Sequence, residues 1–195
     1  MPLAVTASVV GGYRWTEQAL FQLVSSWVDD AGLPQVQVHL HAQAARHAWH
    51  AELWADRLPV RDGVDPERLT VPLPPVDAVL AVLADLGPVG TMQGEGAPTL
   101  PRLAGLYRVV LPRLVMTYER HLALTSPVAD GPVARVLRLV LADEVDDWHA
   151  GERLLQALLT PADLAAVQAA QGLVEAEVIR AGGEIGLVPA LGEWR

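Results

Sequence analysis

The sequence predicts an all-α fold, a four-helix bundle with a long crossover connection and an additional C-terminal helix. Apolar residues recur at intervals of three and four along most of the chain, which is the period of an amphipathic helix. Convincing period-two alternation flanked by hairpin turns, the pattern of β-strands, does not occur. A long polar connection between the first and second pairs of helices predicts the crossover.

A short turn separates the first two predicted helices. The first helix is predicted from about Ala7 to Asp30, and it stops at DDAGLP, which supplies a glycine. Pro34 begins the second helix, which is predicted to end near Leu58, just before Pro59. The apolar residues that define the first helix are Tyr13, Leu20, Phe21, Leu23, Val24, Trp27 and Val28. Because the turn is short, the two helices should be antiparallel neighbours.

The crossover contains one short helix between two irregular stretches. The polar loop RDGVDPERLTVPLPP precedes the helical segment VDAVLAVLADLG, which ends at Gly87. The irregular stretch GPVGTMQGEGAPT then leads to a third long helix from about Leu100 to Thr125, which Pro112 is expected to bend. A connection of this length allows the second and third long helices to run in the same direction.

Two further helices complete the predicted fold. Gly131 begins a helix that continues to about Leu159 after the break SPVADGP. In the sequence TPAD, Thr160 is predicted as the N-cap of a fifth helix, with Pro161 at its first position and Asp163 at its third. This helix should end at AGG, before the tail EIGLVPALGEWR. We therefore expect one domain over residues 1–195, with its core at about 7–180 and an irregular tail at 181–195.

Composition excludes several classes of function. The formal net charge of -9 disfavours binding to nucleic-acid phosphates or to anionic membrane surfaces, which requires clustered lysine and arginine. The chain has no cysteine, so disulfides, thiolate nucleophiles and cysteine-bound metals are excluded. It also has no apolar run of about 20 residues and no basic leader, so we expect a cytoplasmic protein without a membrane span.

Acidic and histidine side chains with helical spacing are candidates for a site in the bundle interior. Helix two carries His47-x-x-His50, and helix four carries Glu144-x-x-Asp147. A spacing of three places both members of a pair on one helical face. Helices one and three each supply a single glutamate, in RWTEQALFQLV and MTYERHL. An alternative register on helix four would use Asp146 and His149, which are also three residues apart. The candidates are Glu17, His47, His50, Glu119, Glu144 and Asp147, with His149 as the alternative.

At these motifs the chain resembles the ferritin-like superfamily, in particular bacterial branches whose fourth helix reads Asp-Glu-x-x-His-x-x-x-Gly. Here the signature appears as Asp143, Glu144, Asp147 and Gly151, and HAWHAELWADRLP is similar to the Glu-x-x-His segment of the second helix. The resemblance implies a dinuclear iron or manganese site held by the six candidate residues. Two ligand types are exchanged, since His47 stands in a glutamate position and Asp147 in a histidine position.

Structural roles are the alternative for every one of these residues. Single glutamates on amphipathic helices are usually solvated, and His39, His41 and His121 are typical surface or packing residues. The run DEVDD would ordinarily form a solvent-exposed acidic surface of its helix. Tryptophans usually pack in a core or an interface. If the chain binds no metal, we expect its carboxylates to pair with arginine or to face solvent, because a buried carboxylate without a cation is costly.

Two functions are consistent with the sequence. The first is a dinuclear-iron oxidoreductase of the hydroxylase or oxygenase type that acts on a small organic substrate, with iron expected and manganese or no metal as alternatives. The second is a non-catalytic ferritin-like bundle with a degenerate metal site, acting as a binding or assembly protein, for which the tryptophan-rich helices suit a homodimer. Hydrolase and phosphate-binding motifs such as Gly-x-Ser-x-Gly are not found.

Overall fold

The computed structural model describes residues 3–60, 65–73, 75–87, 99–126 and 128–183, and most of these residues are helical. No strand occurs in these ranges, so the all-α prediction is confirmed. The elements are α1 (Leu3–Val28), α2 (Pro34–Ala55), a 3-10 turn (Pro66–Leu69), α3 (Val76–Ala84), α4 (Thr99–Gly105), a π-helical segment (Leu106–Val110), α5 (Leu111–Leu124), α6 (Gly131–Leu158) and α7 (Leu164–Arg180). The predicted irregular tail from residue 184 and most of GPVGTMQGEGAPT lie outside the described residues.

The helices α1 and α2 pack along each other in opposite directions. Tyr13 contacts Trp54 with ring centroids 5.1 Å apart, whereas Glu17, one turn later, approaches His50, one turn earlier. The turn between them contains Gly32 with φ 67°, which is the left-handed conformation that favours glycine. The predicted glycine stop of the first helix is therefore confirmed.

The helices α2 and α5 run in the same direction across the interior. Tyr107 of the π-helical segment contacts Gln43, and Tyr118 of α5 contacts Trp54 with ring centroids 5.9 Å apart. Eleven residues separate the two positions on each helix, so the chain advances in parallel. The crossover that the sequence predicted is what permits this arrangement. One buried apolar cluster draws on α1 through α7, and among the described residues no helix combines the length and apolarity needed to cross a bilayer.

The third long helix contains a π turn that the sequence analysis did not predict. The backbone N–H of Leu111 bonds to the carbonyl of Leu106, five residues earlier, directly before Pro112. Proline has no N–H to donate, and its ring crowds the carbonyl four residues before it, so a wider turn at this point relieves the crowding. The π turn inserts one extra residue into the helix and thereby changes which side chains face the interior.

The start of α7 differs from the prediction by one turn. The carboxylate of Asp163 accepts hydrogen bonds from the backbone N–H of Thr160 at 2.9 Å and from its hydroxyl at 2.7 Å. Residues 161–163 therefore form a separate turn, and the helix begins at Leu164. Thr160 as the N-cap of this helix was wrong, because Asp163 bonds back to Thr160 and closes a turn before the helix starts. The helix ends near Gly182, whose φ is 80°.

Replacing Gly11 by alanine is expected to destabilise the protein by about 1–3 kcal/mol, the usual cost of overpacking. A Cβ at this position on α1 would lie 1.9 Å from the carbonyl oxygen of Leu69, which is backbone and cannot move aside cheaply. Gly172→Ala is the matched control, because nothing lies within 4 Å of a Cβ added there on α7. That variant should be more stable by about 0.5–1 kcal/mol, since alanine favours helix. Urea unfolding of both variants measures the difference, and equal stabilities would contradict the close packing.

Candidate metal centre

Four acidic and histidine side chains from three helices meet in the interior. Glu17 comes from α1, His47 and His50 come from α2, and Glu144 comes from α6. All four residues have 0% of their surface exposed. Each offers one nitrogen or oxygen atom, and these atoms lie within 4.8 Å of one another. This group, called the interior cluster below, could hold a metal ion.

Helical spacing explains why these side chains point inward. On α2 the three-residue interval places both imidazoles on the face that packs against α1 and α6. On α6 the buried residues follow helical intervals through Val140, Glu144, Asp147 and Gly151. Glu144 thus occupies a core position of an otherwise apolar stripe, where a carboxylate needs a partner.

The distances within the interior cluster match the edges of a coordination shell. The Nδ1 atom of His47 lies 2.7 Å from Oε2 of Glu17 and 3.3 Å from Oε1 of Glu144. The Nδ1 atom of His50 lies 3.2 Å from Oε1 of Glu144 and 3.5 Å from Oε2 of Glu17. With metal–ligand bonds of about 2.1 Å, neighbouring ligand atoms are about 3.0 Å apart in an octahedron and about 3.4 Å apart in a tetrahedron. The same distances also suit hydrogen bonds between imidazolium and carboxylate.

One carboxylate oxygen in the cluster has no partner. Oε2 of Glu144 is buried and accepts no hydrogen bond from any described residue. Buried polar atoms almost always have a partner, so such an orphan calls for an explanation, and a bound cation supplies one. Both carboxylate oxygens of Glu17, by contrast, have partners. Tyr118 donates a hydrogen bond to Oε1 at 2.5 Å, and Oε2 faces His47.

Neighbouring groups hold the ligand atoms in place. Oδ2 of Asp143 lies 3.1 Å from Nε2 of His50, so this carboxylate orients the ring with Nδ1 toward the cluster. Burial, assisted by the charge of Glu17, raises the pKa of Tyr118 well above its usual range. The Tyr118 hydroxyl therefore keeps its proton and remains a donor to Glu17.

The charges of the interior cluster balance each other. Burial alone would lower the pKa of both histidines, but the two glutamates outweigh it and raise the pKa of His47 to about 10 and that of His50 to about 11. Burial would likewise raise the pKa of Glu17, yet the imidazoles lower it to about 2. Two imidazolium protons thus offset two carboxylates. One divalent cation bound to neutral imidazoles would give the same net charge.

The structure does not bring the other sequence-derived candidates into the cluster. Glu119 is exposed, because the inward face of α5 is formed by Leu114, Val115 and Tyr118, and the next residue is turned away. Asp147 is buried but forms a two-point ion pair with Arg46 of α2, with Arg46 Nε donating to its Oδ2 at 2.7 Å.

The alternative register on α6 also lies outside the cluster. His149 and Asp146 are exposed and line a surface pocket of about 340 Å³ together with Arg46 and Arg153. Their spacing of three residues places them together on the solvent side of α6 rather than on its buried stripe.

Sequence reasoning missed three buried polar residues beside the cluster: Gln43, Tyr107 and Tyr118. Tyr118 could have been found from the apolar spacing of Leu111, Leu114 and Val115, which places it on the inward face. Gln43 lies one turn before His47 on the same face of α2, so the same helical spacing predicts that it faces inward. Tyr107 lies in the π turn, and Pro112, which the sequence indicated only as a bend, was a signal for this turn.

Comparison of the chain with protein-family models, with curated proteins and with solved structures yields no significant match.

Proposed function

We propose that the chain is a ferritin-like metalloprotein that binds a redox-active divalent metal ion, iron in the first place, and acts as an oxidoreductase on a small organic substrate. The observation that carries the proposal is the interior cluster, with four ligand atoms at coordination spacing and an orphaned carboxylate oxygen on Glu144. The parallel course of α2 and α5 across a crossover supports the ferritin-like assignment, since that topology distinguishes this bundle from simple up-and-down bundles.

The cluster favours one ion over the two that the family resemblance implies. A second ion would need the ligands expected from Glu119 and Asp147. Glu119 faces solvent, and Asp147 is held by Arg46. These are the two outcomes expected for carboxylates that have no metal, whereas Glu17 and Glu144 show neither. We infer that one metal position is retained and the other has been replaced by the Arg46–Asp147 ion pair.

The ligand set suits iron or manganese. Two imidazoles with carboxylates and no thiolate form a set typical of non-haem iron(II) oxygenases, and four ligands leave positions open in a six-coordinate shell. An iron ion bound there would supply one-electron redox chemistry. The surrounding residues exclude bulk water, since Tyr13, Trp54 and Tyr118 are almost completely buried beside the cluster. Asp143 and Tyr118 fix one histidine and one glutamate before the ion arrives.

Anaerobic titration with iron(II) tests the proposal. Metal-free protein should bind about one iron(II) per chain, and exposure to air should then oxidise the bound iron faster than iron(II) in buffer. A ferrous chelator measures both the bound fraction and the oxidation rate. Two ions per chain would contradict the single-ion inference, and binding of less than about a tenth of an ion per chain would contradict the function.

The non-catalytic bundle remains the second candidate, because one observation favours it. The interior cluster satisfies most of its own charges without any ion, through the contacts of His47 with Glu17 and of His50 with Glu144. A protein that neither binds iron nor changes its unfolding temperature when iron(II), manganese(II) or zinc(II) is added would have this cluster as a structural ion-pair network.

A further inference from the structure

A line of hydrogen-bonding side chains leads from the interior cluster toward the surface. Gln43 lies 3.5 Å from Nε2 of His47, measured to its side-chain nitrogen. The amide oxygen of Gln43 lies 2.7 Å from the hydroxyl of Tyr107, and that hydroxyl lies 2.9 Å from Nε2 of His39. Gln43 and Tyr107 are completely buried, whereas His39 is half-buried. Each member of this line presents a hydrogen-bonding atom to the next one.

The π turn and a glycine place the tyrosine in this line. Tyr107 lies within the π-helical segment, opposite α2. On its far side the ring rests on Gly151 of α6, where an added Cβ would lie 2.1 Å from Cε1 of Tyr107. Any larger residue at Gly151 would therefore displace the ring and its hydroxyl. The hydroxyl is held at one position between Gln43 and His39.

The state of His47 decides the direction of the hydrogen bonds. Its Nδ1 faces the glutamates, so this is the atom that a metal ion would take. An imidazole bound through Nδ1 carries its hydrogen on Nε2, and an imidazolium carries one there as well. In both states Nε2 is a donor, and the group opposite it must accept.

The side-chain amide of Gln43 can meet this requirement by turning. A rotation of 180° exchanges its oxygen and nitrogen within the same space. Nε2 of His47 then donates to the oxygen of Gln43, the amide nitrogen donates to the oxygen of Tyr107, and the Tyr107 hydroxyl donates to Nε2 of His39. His39 closes the line as a neutral acceptor. Burial lowers the pKa of His39, in keeping with that role.

We propose that Gln43, Tyr107 and His39 are positioning residues that fix the tautomer of His47, so that its Nδ1 lone pair is directed into the metal position. The proposal rests on the proposed metal function for its affinity effects. His50 has a charged partner in Asp143, whereas His47 has an uncharged one in Gln43. A carboxylate partner makes an imidazole a stronger donor to the metal than an amide does. The line thus makes His47 the weaker of the two imidazole ligands.

Zinc(II) affinity of three variants tests the inference. Gln43→Met keeps the side-chain length but removes the acceptor, and it should weaken zinc binding about 10-fold or more, as other losses of such partners do. Gln43→Glu keeps the acceptor and should bind zinc at least as tightly as the wild type. Tyr107→Phe keeps the ring on Gly151 and should weaken binding by a smaller factor. A purely structural role would make both Gln43 variants bind more weakly, and that result would overturn the proposal.

Nitrogen-15 NMR of the histidine rings provides a readout that does not depend on affinity. Nε2 of His39 should be unprotonated at pH 7.5, and in zinc-loaded protein Nε2 of His47 should carry hydrogen. If the wild type binds no zinc, the metal function fails, but the His39 tautomer still tests the line in metal-free protein. His39 with hydrogen on Nε2 at that pH would overturn the proposal in either case.

Discussion

Glu144→Gln is expected to weaken metal binding by more than about 100-fold while leaving the shape of the interior cluster intact. Glu144 supplies the oxygen nearest to Nδ1 of His50 and also the orphaned oxygen, so no other described group can replace it. Glutamine has the same size but no charge, and it leaves a divalent ion with one carboxylate in a buried site. Equilibrium titration with zinc(II) or iron(II) against a competing chelator measures the loss.

Glu119→Gln is the matched control for this experiment. Glu119 is a glutamate on a neighbouring helix that the sequence also singled out, but its side chain is exposed. The substitution should leave metal affinity within about twofold of the wild type and stability within about 0.5 kcal/mol. Equal losses in the two variants would show that the metal is bound elsewhere or that the helix α5 is turned differently. Retention of full affinity in Glu144→Gln would remove the interior cluster as the metal site.

Helix order and helix ends were largely readable from the sequence, because they depend on local chemistry. Gly32 and Gly182 have positive φ where the sequence predicted the stops of the first and last helices. Pro34 and Gly131 are the first residues of α2 and α6. These signals act within one turn of the chain and need no knowledge of what packs against the helix.

The interior cluster was only partly readable, because its membership depends on contacts between helices. The spacing of His47 and His50 shows that they share a face, but not that Glu17 and Glu144 meet them there. Asp147 has the same three-residue spacing from Glu144, yet it bonds to Arg46 across the α2–α6 contact. Which carboxylate pairs with an arginine depends on the distances between helices, and the spacing along one helix does not determine those distances.

The register of α5 was missed, although the apolar spacing of Leu111, Leu114 and Val115 indicates it. Glu119 and Tyr118 are adjacent in sequence, and a rotation of about 100°, one residue of helix, exchanges which of them faces inward. The π turn before Leu111 inserts an extra residue and so resets the register of everything after it. Tyr118 therefore occupies the inward position, next to Glu17, and Glu119 does not.

Metal-free protein is expected to lose stability as the pH rises from about 6.5 toward 10. The pKa of His47 is raised to about 10 and that of His50 to about 11 in the folded protein. The unfolded chain has ordinary histidines with a pKa of about 6.5, so between these values the folded state holds more protons. The raised pKa values stabilise the fold fully below the histidine pKa of the unfolded chain. This stabilisation is lost as the pH rises toward the histidine pKa values of the folded protein. The melting temperature should fall by at least about 5 °C between pH 6.5 and 9.

Several other groups with shifted pKa values affect stability outside the range from about pH 6.5 to 9. The pKa of Glu17 is lowered to about 2, so its contribution is complete above about 4.5 and is lost only as the pH falls further. Burial lowers the pKa of His121 to about 4 and also lowers that of His39, so their effects end by about pH 6.5. Burial raises the pKa of Tyr13 above 10, and that group affects only more alkaline conditions. A variant in which Glu17, His47, His50 and Glu144 are all replaced by glutamine removes the raised histidine pKa values without leaving buried carboxylates unpaired, so its profile should be flat above about pH 6.5.

Metal-loaded protein should instead keep its stability over the same window, because its imidazoles are neutral both in the metal-bound fold and in the unfolded chain. A divalent ion needs neutral imidazoles, so its affinity increases as protons leave, and a ligand that binds only the folded state raises stability with its affinity. The difference in melting temperature between zinc-loaded and chelator-treated protein should grow steadily from pH 6 to 9. A difference that stays constant or shrinks would mean that the ion does not displace the protons of His47 and His50. The slope thus separates binding at the interior cluster, where two imidazoles must lose protons, from binding at a site without histidine ligands.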